Sequence, residues 1–328
     1  MSTPVPGPDA GDGRSADLGR WFSTALPGTA LGALGRRRAW GPLASSAYGR
    51  RSSPAELADG LSLLHGKPVA VLTGAGISTG SGLPDYRGPH AVPRSPMTYQ
   101  EFTGSDLARR RYWARSSVGW TRFRAARPNP GHIALARLGP ALPILGVITQ
   151  NVDDLHRRAG SAPVVDLHGR LDRVRCLGCD ALIGREGLHR RLLAMNPGFA
   201  ARLDQLAREA ETAPDGDAEV DRTHDFRYPP CALCGGVLKP DVVFFGESAR
   251  PGTVHRATAL VEAAQALLVL GSSLSVQSGL RLVRRAEAAG AAVVILGDGP
   301  TRGDDRATLR LHGLLDPVLT GWAEQLGR

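Results

Sequence analysis

Short, uninterrupted runs of apolar residues recur along the chain, and glycine or polar residues follow each of them directly. The runs span residues 68–73, 144–149, 266–270 and 291–296. Runs of this length without alternation are typical of strands buried on both faces, as in a parallel sheet. Helical spacing separates them, as in Gly279 to Ala289, which stops at Gly290 as a capped helix does. The pattern predicts an α/β fold with a Rossmann-like parallel sheet and right-handed crossovers.

The first predicted helix begins near residue 53. Ser53 is suited to the N-cap, Pro54 to the first helical position and Glu56 to the first turn. By contrast, residues 1–52 are rich in Gly, Pro, Ser and Arg and keep neither helical nor strand periodicity. We therefore predict a disordered N-terminal extension. A targeting segment or partner-binding arm is the alternative, although its prolines and acidic residues disfavour an amphipathic helix.

Composition narrows the class of protein. The chain has 328 residues, 42% of them hydrophobic and 22% charged, which is typical of a soluble globular protein with room for two domains. No apolar run approaches the ~20 residues that span a bilayer, so we expect no membrane contact and a cytoplasmic location. The formal charge of +9 comes from scattered arginines without an aromatic-interleaved stripe. We therefore expect no nucleic-acid partner, and we expect a monomer.

The four cysteines form two C-x2-C pairs, Cys176 with Cys179 and Cys231 with Cys234. Each pair sets two thiolates on one turn, and two pairs complete a tetrahedral Zn²⁺ site. Disulfides would suit a secreted chain, but no hydrophobic signal segment precedes the domain; a thioredoxin-like site would leave one pair idle. We predict one structural zinc, in a small zinc-ribbon and helical domain over 176–235. It is inserted between 53–175 and 236–328, the two parts of the Rossmann-like domain.

Polar and glycine-rich stretches follow the predicted strands, where open α/β sheets place their ligands. They are Thr73–Ser78, Gly82–Gly88, Thr149–His156, Val165–Gly169 and Gly271–Ser273. Backbone N–H groups of the first stretch can approach a phosphate, but Thr79 breaks the full G-x-G-x-x-G and disfavours an ordinary dehydrogenase. Each stretch also has a structural interpretation: a tight turn, a surface ion pair, a helix cap for Asp153, or a structural histidine for His168.

Taken together and in this order, the stretches resemble one family, the sirtuins, which are NAD-dependent protein deacylases. The resemblance covers about residues 53–328 and includes both cysteine pairs and Lys239–Glu247. Arg111–Arg115, Asn129-Pro130 and Asp172–Val174 are similar to the class II branch. Tyr86 stands where many sirtuins have Phe. Gly297-Asp298 stands where an Asn commonly meets the adenosine ribose, so that contact differs from the family pattern.

The resemblance implies roles for individual residues. His168 is the implied general base, and Asn151 and Asp153 are the implied catalytic residues that order the ribose, a water and the nicotinamide amide. The implied NAD-binding residues are Gly74, Ala75, Gly76, Ile77, Ser78, Asp85, Tyr86, Arg87, Gln150, Asn151, Val152, Asp153, Gly271, Ser272, Ser273, Gly297, Asp298, Gly299 and Leu315. The implied substrate-binding residues are Val242, Val243, Phe244, Phe245, Gly246, Glu247 and Leu274, which would pair with an extended peptide carrying an acylated lysine.

The sequence leaves alternatives for the acyl group that is removed and for the reaction that the enzyme catalyses. Tyr112 and Arg115 share one helix face and would suit a carboxylate-ended acyl chain, although a surface arginine beside a packing tyrosine is the favoured interpretation. The leading function is lysine deacylation that releases nicotinamide and O-acyl-ADP-ribose. Mono-ADP-ribosyl transfer to protein is the alternative, followed at a distance by a non-catalytic NAD sensor and a zinc-ribbon nucleic-acid binder.

Overall fold

The structure is a computed structural model that describes residues 49–327, except 89–90, 92–94, 211, 219 and 221–222. Residues 1–48 of the predicted extension lie outside the described residues. The last residues of that segment contact the folded chain: the Ser52 N–H donates to the His312 carbonyl oxygen at 2.8 Å. Arg51 forms an ion pair with Asp298.

The helices and strands follow one another along the chain as the apolar runs predict. The helices are α1 (Pro54–Leu64), α2 (Tyr99–Gly104), α3 (Asp106–Ala125), α4 (Pro130–Leu138), α5 (Leu155–Arg158), α6 (Arg185–Met195), α7 (Pro197–Ala200), α8 (Leu203–Glu209), α9 (Pro251–Glu262), α10 (Gln277–Ala288) and α11 (Leu315–Leu326). The strands are β1 (Val69–Thr73), β2 (Ile144–Thr149), β3 (Val164–Asp166), β4 (Gly169–Cys176), β5 (Leu182–Gly184), β6 (Leu238–Val242), β7 (Ala266–Leu270), β8 (Ala292–Gly297) and β9 (Leu309–His312).

Local sequence signals set the ends of two helices. Ser53 and Glu56 form a reciprocal capping box at the start of α1: the Glu56 N–H donates to Ser53 Oγ at 3.2 Å, and the Ser53 N–H donates to the Glu56 carboxylate at 2.7 Å. Just beyond α10, Gly290 has φ +74°, a conformation that costs glycine little. Both ends were predicted from the residue types alone.

The main sheet is parallel, with strand order β3-β2-β1-β7-β8-β9. Every residue of β1 and of β7 is buried, because helices cover both faces of the sheet. Thr73 pairs in register with Thr149 on one side and with Leu270 on the other. The predicted Rossmann-like fold is confirmed, and the parallel register brings the polar stretches after these strands to one edge.

The crevice of this sheet opens between β1 and β7, where the strand order changes direction. The chain runs outward from β1 through β2 to β3, then returns to β7 on the other side of β1. Doubly wound sheets bind ligands at such a point, beyond the carboxyl ends of the strands. Here the loops lock together: the Gly74 N–H donates to the Leu270 carbonyl at 3.0 Å and the Gly76 N–H to the Gly271 carbonyl at 2.9 Å.

A second sheet, antiparallel and in the order β5-β4-β6, lies beside the cysteines. Two of its strands, β4 and β6, lie almost wholly outside the predicted zinc segment 176–235, so this lobe is continuous with the main domain. One apolar cluster joins it to the helices above the crevice and includes Phe102, Trp113, Val174 and Phe244. The limits of the domains stay a prediction. Within the part of the chain that the structure describes, every helix is too short or too polar to cross a bilayer.

Candidate functional site

The four cysteine sulfurs converge at one point of the small lobe. Their Sγ atoms all lie within 4.8 Å of one another, with Cys176 and Cys234 3.4 Å apart and Cys179 and Cys231 3.8 Å apart. Sulfurs about 2.3 Å from a tetrahedral Zn²⁺ would be about 3.8 Å apart. All four cysteines are free of disulfide bonds. The donor set fits one structural zinc, as predicted, and such a site is coordinatively closed.

A cavity of about 160 Å³ lies between the crevice and the small lobe. Many of the predicted site residues line it. They are Ala75, Tyr86, Gln150, Asn151, Val152, His168, Val242, Val243, Phe244, Phe245, Gly246 and Glu247. Residues implied to bind a cofactor, to act on it and to bind a peptide therefore share one cavity.

His168 is fixed at both ring nitrogens. Its Nδ1 lies 3.0 Å from the carbonyl oxygen of Gln150, and its Nε2 lies 2.7 Å from Oγ of Ser278. A carbonyl only accepts, so Nδ1 carries the proton and Nε2 has the lone pair. Burial lowers the pKa of His168 to about 4, although the bond to Gln150 opposes the change. The imidazole is therefore neutral near pH 7, as a general base must be.

Asn151 and Asp153 hold the glycine loop against the end of β2. Asn151 Nδ2 donates to the Gly74 carbonyl at 3.1 Å and to Ser78 Oγ at 3.0 Å. Ser78 in turn donates to Asp153 Oδ2 at 2.7 Å, while Asp153 Oδ1 accepts the Leu155 N–H at 2.9 Å. Burial raises the pKa of Asp153. Asp153 thus accepts the first N–H of the helical turn that follows and supports the glycine loop through Ser78.

The remaining residues implied to bind NAD lie outside the cavity wall. Gln150 Nε2 donates to Ser272 Oγ at 2.7 Å, and Ser273 Oγ donates to Ser275 Oγ at 3.1 Å. Gly271 and Gly297 lie side by side, since a Cβ built on Gly297 would be 3.8 Å from the Gly271 Cα. Gly76, Ile77 and Leu315 lie against Gly271, since a Cβ built on Gly271 would be within 2.8 Å of an atom of each. The further members of this group are Asp85, Arg87, Asp298 and Gly299.

Three of these last residues have partners that the sequence did not indicate. Asp298, in the position where the family commonly has Asn, forms its ion pair with Arg51. The Gly299 carbonyl accepts from the guanidinium of Arg310. Asp85 accepts the Gly88 N–H at 2.8 Å and so closes its own turn.

The segment predicted to bind substrate runs along one wall of the cavity. The Val243 N–H donates to the His168 carbonyl at 2.8 Å, which fixes the segment directly beside the implied base. Glu247 accepts the Phe244 N–H at 2.8 Å and forms an ion pair with Lys239 at 3.0 Å. Leu274 is different: its side chain is completely buried and its N–H donates to Ser272 Oγ at 3.2 Å. The structure does not bring the Leu274 side chain to the cavity.

Several cavity residues were not predicted as site residues. Ser278 comes from the first turn of α10 and Met97 precedes α2, while Pro214, Asp215 and Asp217 come from the small lobe. Tyr112 was predicted to pack beside a surface Arg115, with a shared site for a carboxylate-ended acyl chain as the alternative. Tyr112 is 3% exposed, as a packing residue is, and it also lines the cavity. Arg115 is partly buried and lies 2.9 Å from Asp217. Ser278 could have been predicted as a site residue from the sequence, because it follows the Gly271–Ser273 turn by only five residues.

The parallel sheet has its crevice at the switch point, and glycine loops line that crevice. A neutral histidine lies in the cavity beside a lobe with four cysteines. These features are those of a nucleotide-binding α/β enzyme with a structural metal site. Comparisons with known proteins agree with this class of protein. A model of the Sir2 family matches residues 74–278. The chain belongs to the Sir2 family.

Individual relatives extend over most of the chain. NAD-dependent protein deacetylase 1 of Mycobacterium avium is 50% identical over 278 residues, which is 85% of this chain and 97% of that protein. NAD-dependent protein deacetylase 1 of Streptomyces coelicolor is 54% identical over 263 residues, 79% of this chain and 86% of that protein. A solved Sir2 complex with a p53 peptide and NAD+ superposes with a TM-score of 0.64 at 29% identity, covering 84% of this chain and 99% of that one.

Proposed function

We propose that this chain is an NAD-dependent protein-lysine deacetylase that releases nicotinamide and O-acetyl-ADP-ribose. One observation carries the proposal: His168 and Asn151 line the same cavity as the 242–247 segment. The relatives with the same family fold are named as NAD-dependent protein deacetylases, which supports the same activity here. We place the chain in the class II branch and its activity in the cytoplasm, and we expect it to act as a monomer.

The crevice residues fit a dinucleotide. Gly74 and Gly76 leave no room for a side chain, since a Cβ on either would lie 2.8 Å from the Gly271 carbonyl oxygen. Glycine at such positions lets backbone N–H groups come close to a pyrophosphate. Ser272 and Ser273 add hydroxyl groups, and Gln150, Asn151 and Asp153 would orient the nicotinamide end. When bound, NAD supplies the ribose carbon that takes the acyl oxygen as nicotinamide leaves.

His168 is the proposed general base. Its Nε2 holds a lone pair and now accepts the Ser278 hydroxyl at 2.7 Å. A substrate hydroxyl that replaces Ser278 would give its proton to the same atom. The Nδ1–H keeps donating to the Gln150 carbonyl oxygen, so the ring keeps its orientation throughout. Positioned bases of this kind contribute about 10²–10⁴-fold to a rate.

Val243 to Gly246 are proposed to bind the peptide that carries the acylated lysine. Val243 lies beside His168, and the segment ends in a turn in which the Glu247 N–H donates to the Phe244 carbonyl at 3.0 Å. Pairing with a peptide through the main chain before this turn would tolerate many peptide sequences. The apolar walls of the cavity, with Val242, Phe244 and Met97, would surround the lysine stem and exclude water from the reacting atoms.

The test is a mass-spectrometric assay with the full chain, an acetyl-lysine peptide and NAD. We expect acetyl loss only with NAD, and one O-acetyl-ADP-ribose for each acetyl group lost. A peptide or protein that instead gains the mass of ADP-ribose would favour the alternative, mono-ADP-ribosyl transfer. NAD binding without turnover of any acyl peptide would contradict the proposal and favour a sensor.

A further inference from the structure

The 242–247 segment changes direction within a few residues. It leaves β6 at Val242 and ends in the turn in which the Glu247 N–H donates to the Phe244 carbonyl at 3.0 Å. All six residues of the segment line the cavity. Lys239 precedes the segment by three residues and is not part of the cavity wall. Any effect of Lys239 on a substrate is therefore exerted through the segment.

The ammonium group of Lys239 is buried against the segment. The residue is only 4% exposed. Its Nζ donates to the Val242 carbonyl oxygen and, at 3.1 Å, to the Pro240 carbonyl oxygen, and it lies 3.0 Å from Glu247 Oε2. An ammonium group has three N–H donors, and three oxygens surround this one. Each donor of the buried charge therefore has an acceptor, as burial of a charge requires.

Glu247 joins the ammonium group to the main chain of the segment. The oxygen that lies 3.0 Å from Lys239 Nζ, Oε2, also accepts the Phe244 N–H at 2.8 Å. The ammonium nitrogen lies 4.5 Å from the centroid of the Phe244 ring, which is a cation–π distance. Lys239 thus reaches the segment through a carbonyl oxygen, a carboxylate and an aromatic ring.

The neighbouring carboxylate of β6 belongs to a different set of ion pairs. Asp241 lies 3.0 Å from Arg173 and 2.8 Å from Arg175. Burial lowers the pKa of Lys239, whereas the carboxylate of Glu247 and, after it, that of Asp241 oppose the change. Within the described ranges, Glu247 is the carboxylate at ion-pair distance from Lys239. This pair therefore ties the start of the segment to its end.

Helix α2 holds the far end of the segment. The Tyr99 N–H donates to the Phe245 carbonyl at 2.9 Å, and Gln100 Nε2 donates to the Gly246 carbonyl at 3.1 Å. Lys239 acts at the near end, where the chain leaves β6. The path of the segment is therefore defined before a peptide binds. A preorganised segment loses less conformational entropy when it binds a peptide, which raises the affinity.

From these contacts we propose that Lys239 is a positioning residue for the peptide: its ammonium group fixes the shape of the 242–247 segment and thereby sets the affinity for the acylated peptide. The proposal rests on the proposed deacetylase function. Without the ammonium group, the Val242 carbonyl loses its donor and the Phe244 ring loses a neighbour. The ring of His168 is held by bonds that do not involve the segment, so the chemical step should be little affected.

The test is the steady-state kinetics of the full chain with NAD and an acetyl-lysine peptide. Lys239→Met should raise the KM for the peptide by about tenfold, the effect of losing a hydrogen bond to a charged group. The kcat and the KM for NAD should stay within about threefold of the wild type, because the lost interaction concerns peptide binding. Lys239→Arg keeps the charge and the donors and should restore part of the affinity.

Arg175→Met is the matched control. It removes another largely buried cation from the same sheet, but the partners of Arg175, Asp241 and Asp180, lie outside the segment. The melting temperature should fall, and the KM for the peptide should stay near that of the wild type. A rise in this KM as large as that in Lys239→Met would overturn the proposal, because any loss of a cation in this sheet would then have the same effect.

Should Lys239→Met lose its cooperative melting transition, the double variant Lys239→Met with Glu247→Gln takes its place. It leaves no charge of this pair without a partner and keeps an acceptor oxygen for the Phe244 N–H. Its KM for the peptide should also rise by about tenfold. A wild-type KM for the peptide in the folded variant overturns the proposal, and so does an equal rise of the KM for the peptide and the KM for NAD.

Peptide affinity is measured without turnover as well, by fluorescence anisotropy of a labelled acetyl-lysine peptide. If the wild type binds this peptide without removing the acetyl group, the proposed deacetylase function is wrong, and a weaker Kd in Lys239→Met still supports the positioning role. If the wild type removes the acetyl group and Lys239→Met has the same Kd as the wild type, the positioning role alone is wrong. A wild type that neither binds nor deacetylates the peptide contradicts both.

Discussion

His168 Nε2 lies 2.7 Å from the hydroxyl oxygen of Ser278, although 110 residues separate the two in sequence. Ser278 belongs to the first turn of α10, after β7, whereas His168 follows β3. The contact joins the two halves of the main sheet across the cavity. It also fixes the orientation of the imidazole, because the Ser278 hydroxyl occupies the position at Nε2 where a substrate hydroxyl would bind.

His168→Ala should lower kcat for an acetyl-lysine peptide by about 10²–10⁴-fold, because the proton acceptor is lost. NAD affinity and the melting temperature should change little. Ser278→Ala is the matched control: it keeps the base and removes only its partner, so kcat should fall much less. Initial rates and calorimetric NAD titration of the variants measure both effects. Wild-type kcat in His168→Ala would remove its role as a base.

Buried histidines make stability depend on pH. Burial lowers the pKa of His132, His168 and His189 to about 4, and that of His156 well below its usual value. The unfolded chain takes up these protons near pH 6.5, before the folded chain does. Stability is therefore complete above about pH 6.5 and falls as the pH drops toward 4, by up to about 1.4 kcal/mol per pH unit for each histidine.

Urea unfolding at about pH 7.5, 6 and 5 measures this dependence, with fluorescence as the readout. His189→Asn should make the slope shallower, since one of the groups that titrates is gone. The control is His65→Asn, because His65 is exposed beyond the end of α1. A free energy of unfolding that does not change between pH 7.5 and 5 would show that these histidines are not buried in the neutral form.

How much the sequence predicts depends on the range of the contact. Apolar runs located β1, β2, β7 and β8 to within one residue, and parallel register then placed Gly74 beside Gly271. The Arg115–Asp217 ion pair could not be predicted from the sequence, because it joins α3 to a polar loop that has no periodicity. Leu274 was predicted to pair with an extended peptide, which stays a prediction. Its φ of +53° is part of a turn that directs the side chain into the core, and sequence spacing does not reveal such a turn.

His156 supports Asn151 through two threonines. Its Nε2 lies 2.9 Å from Thr73 Oγ1, which lies 2.9 Å from Thr149 Oγ1, and that oxygen accepts the Asn151 N–H at 3.1 Å. His156→Leu removes one of the two hydrogen bonds of the buried Thr73 hydroxyl, which costs about 0.5–1.5 kcal/mol. We expect a lower melting temperature and a higher KM for NAD.

A substitution farther along the same helical turn provides the control for this effect. Arg158→Lys changes a side chain that reaches the Ala126 carbonyl rather than the threonines. It should leave the KM for NAD near that of the wild type. If His156→Leu lowers the melting temperature but leaves the KM for NAD unchanged, His156 serves packing alone and does not position Asn151.

The cysteine lobe should depend on its metal for folding. Cys176→Ser removes one thiolate from the four-sulfur set, so bound zinc, measured by elemental analysis, and melting temperature should fall together. Leu177→Ala changes the neighbouring residue, whose side chain is 38% exposed, and should keep one zinc per chain. An unchanged zinc content in Cys176→Ser would exclude this cysteine as a ligand.

The crevice requires glycine at position 76. An alanine Cβ there would lie 2.8 Å from the Gly271 carbonyl oxygen and 2.9 Å from the Gly271 Cα, and both are backbone atoms that cannot rotate away. Gly76→Ala should therefore separate the loops after β1 and β7, lower stability by about 1–3 kcal/mol and weaken NAD binding. Gly104→Ala is the control, since a Cβ there meets nothing within 4 Å. Thermal melting and calorimetric NAD titration measure both effects. Wild-type NAD affinity in Gly76→Ala would mean that the cofactor does not depend on the contact between these two loops.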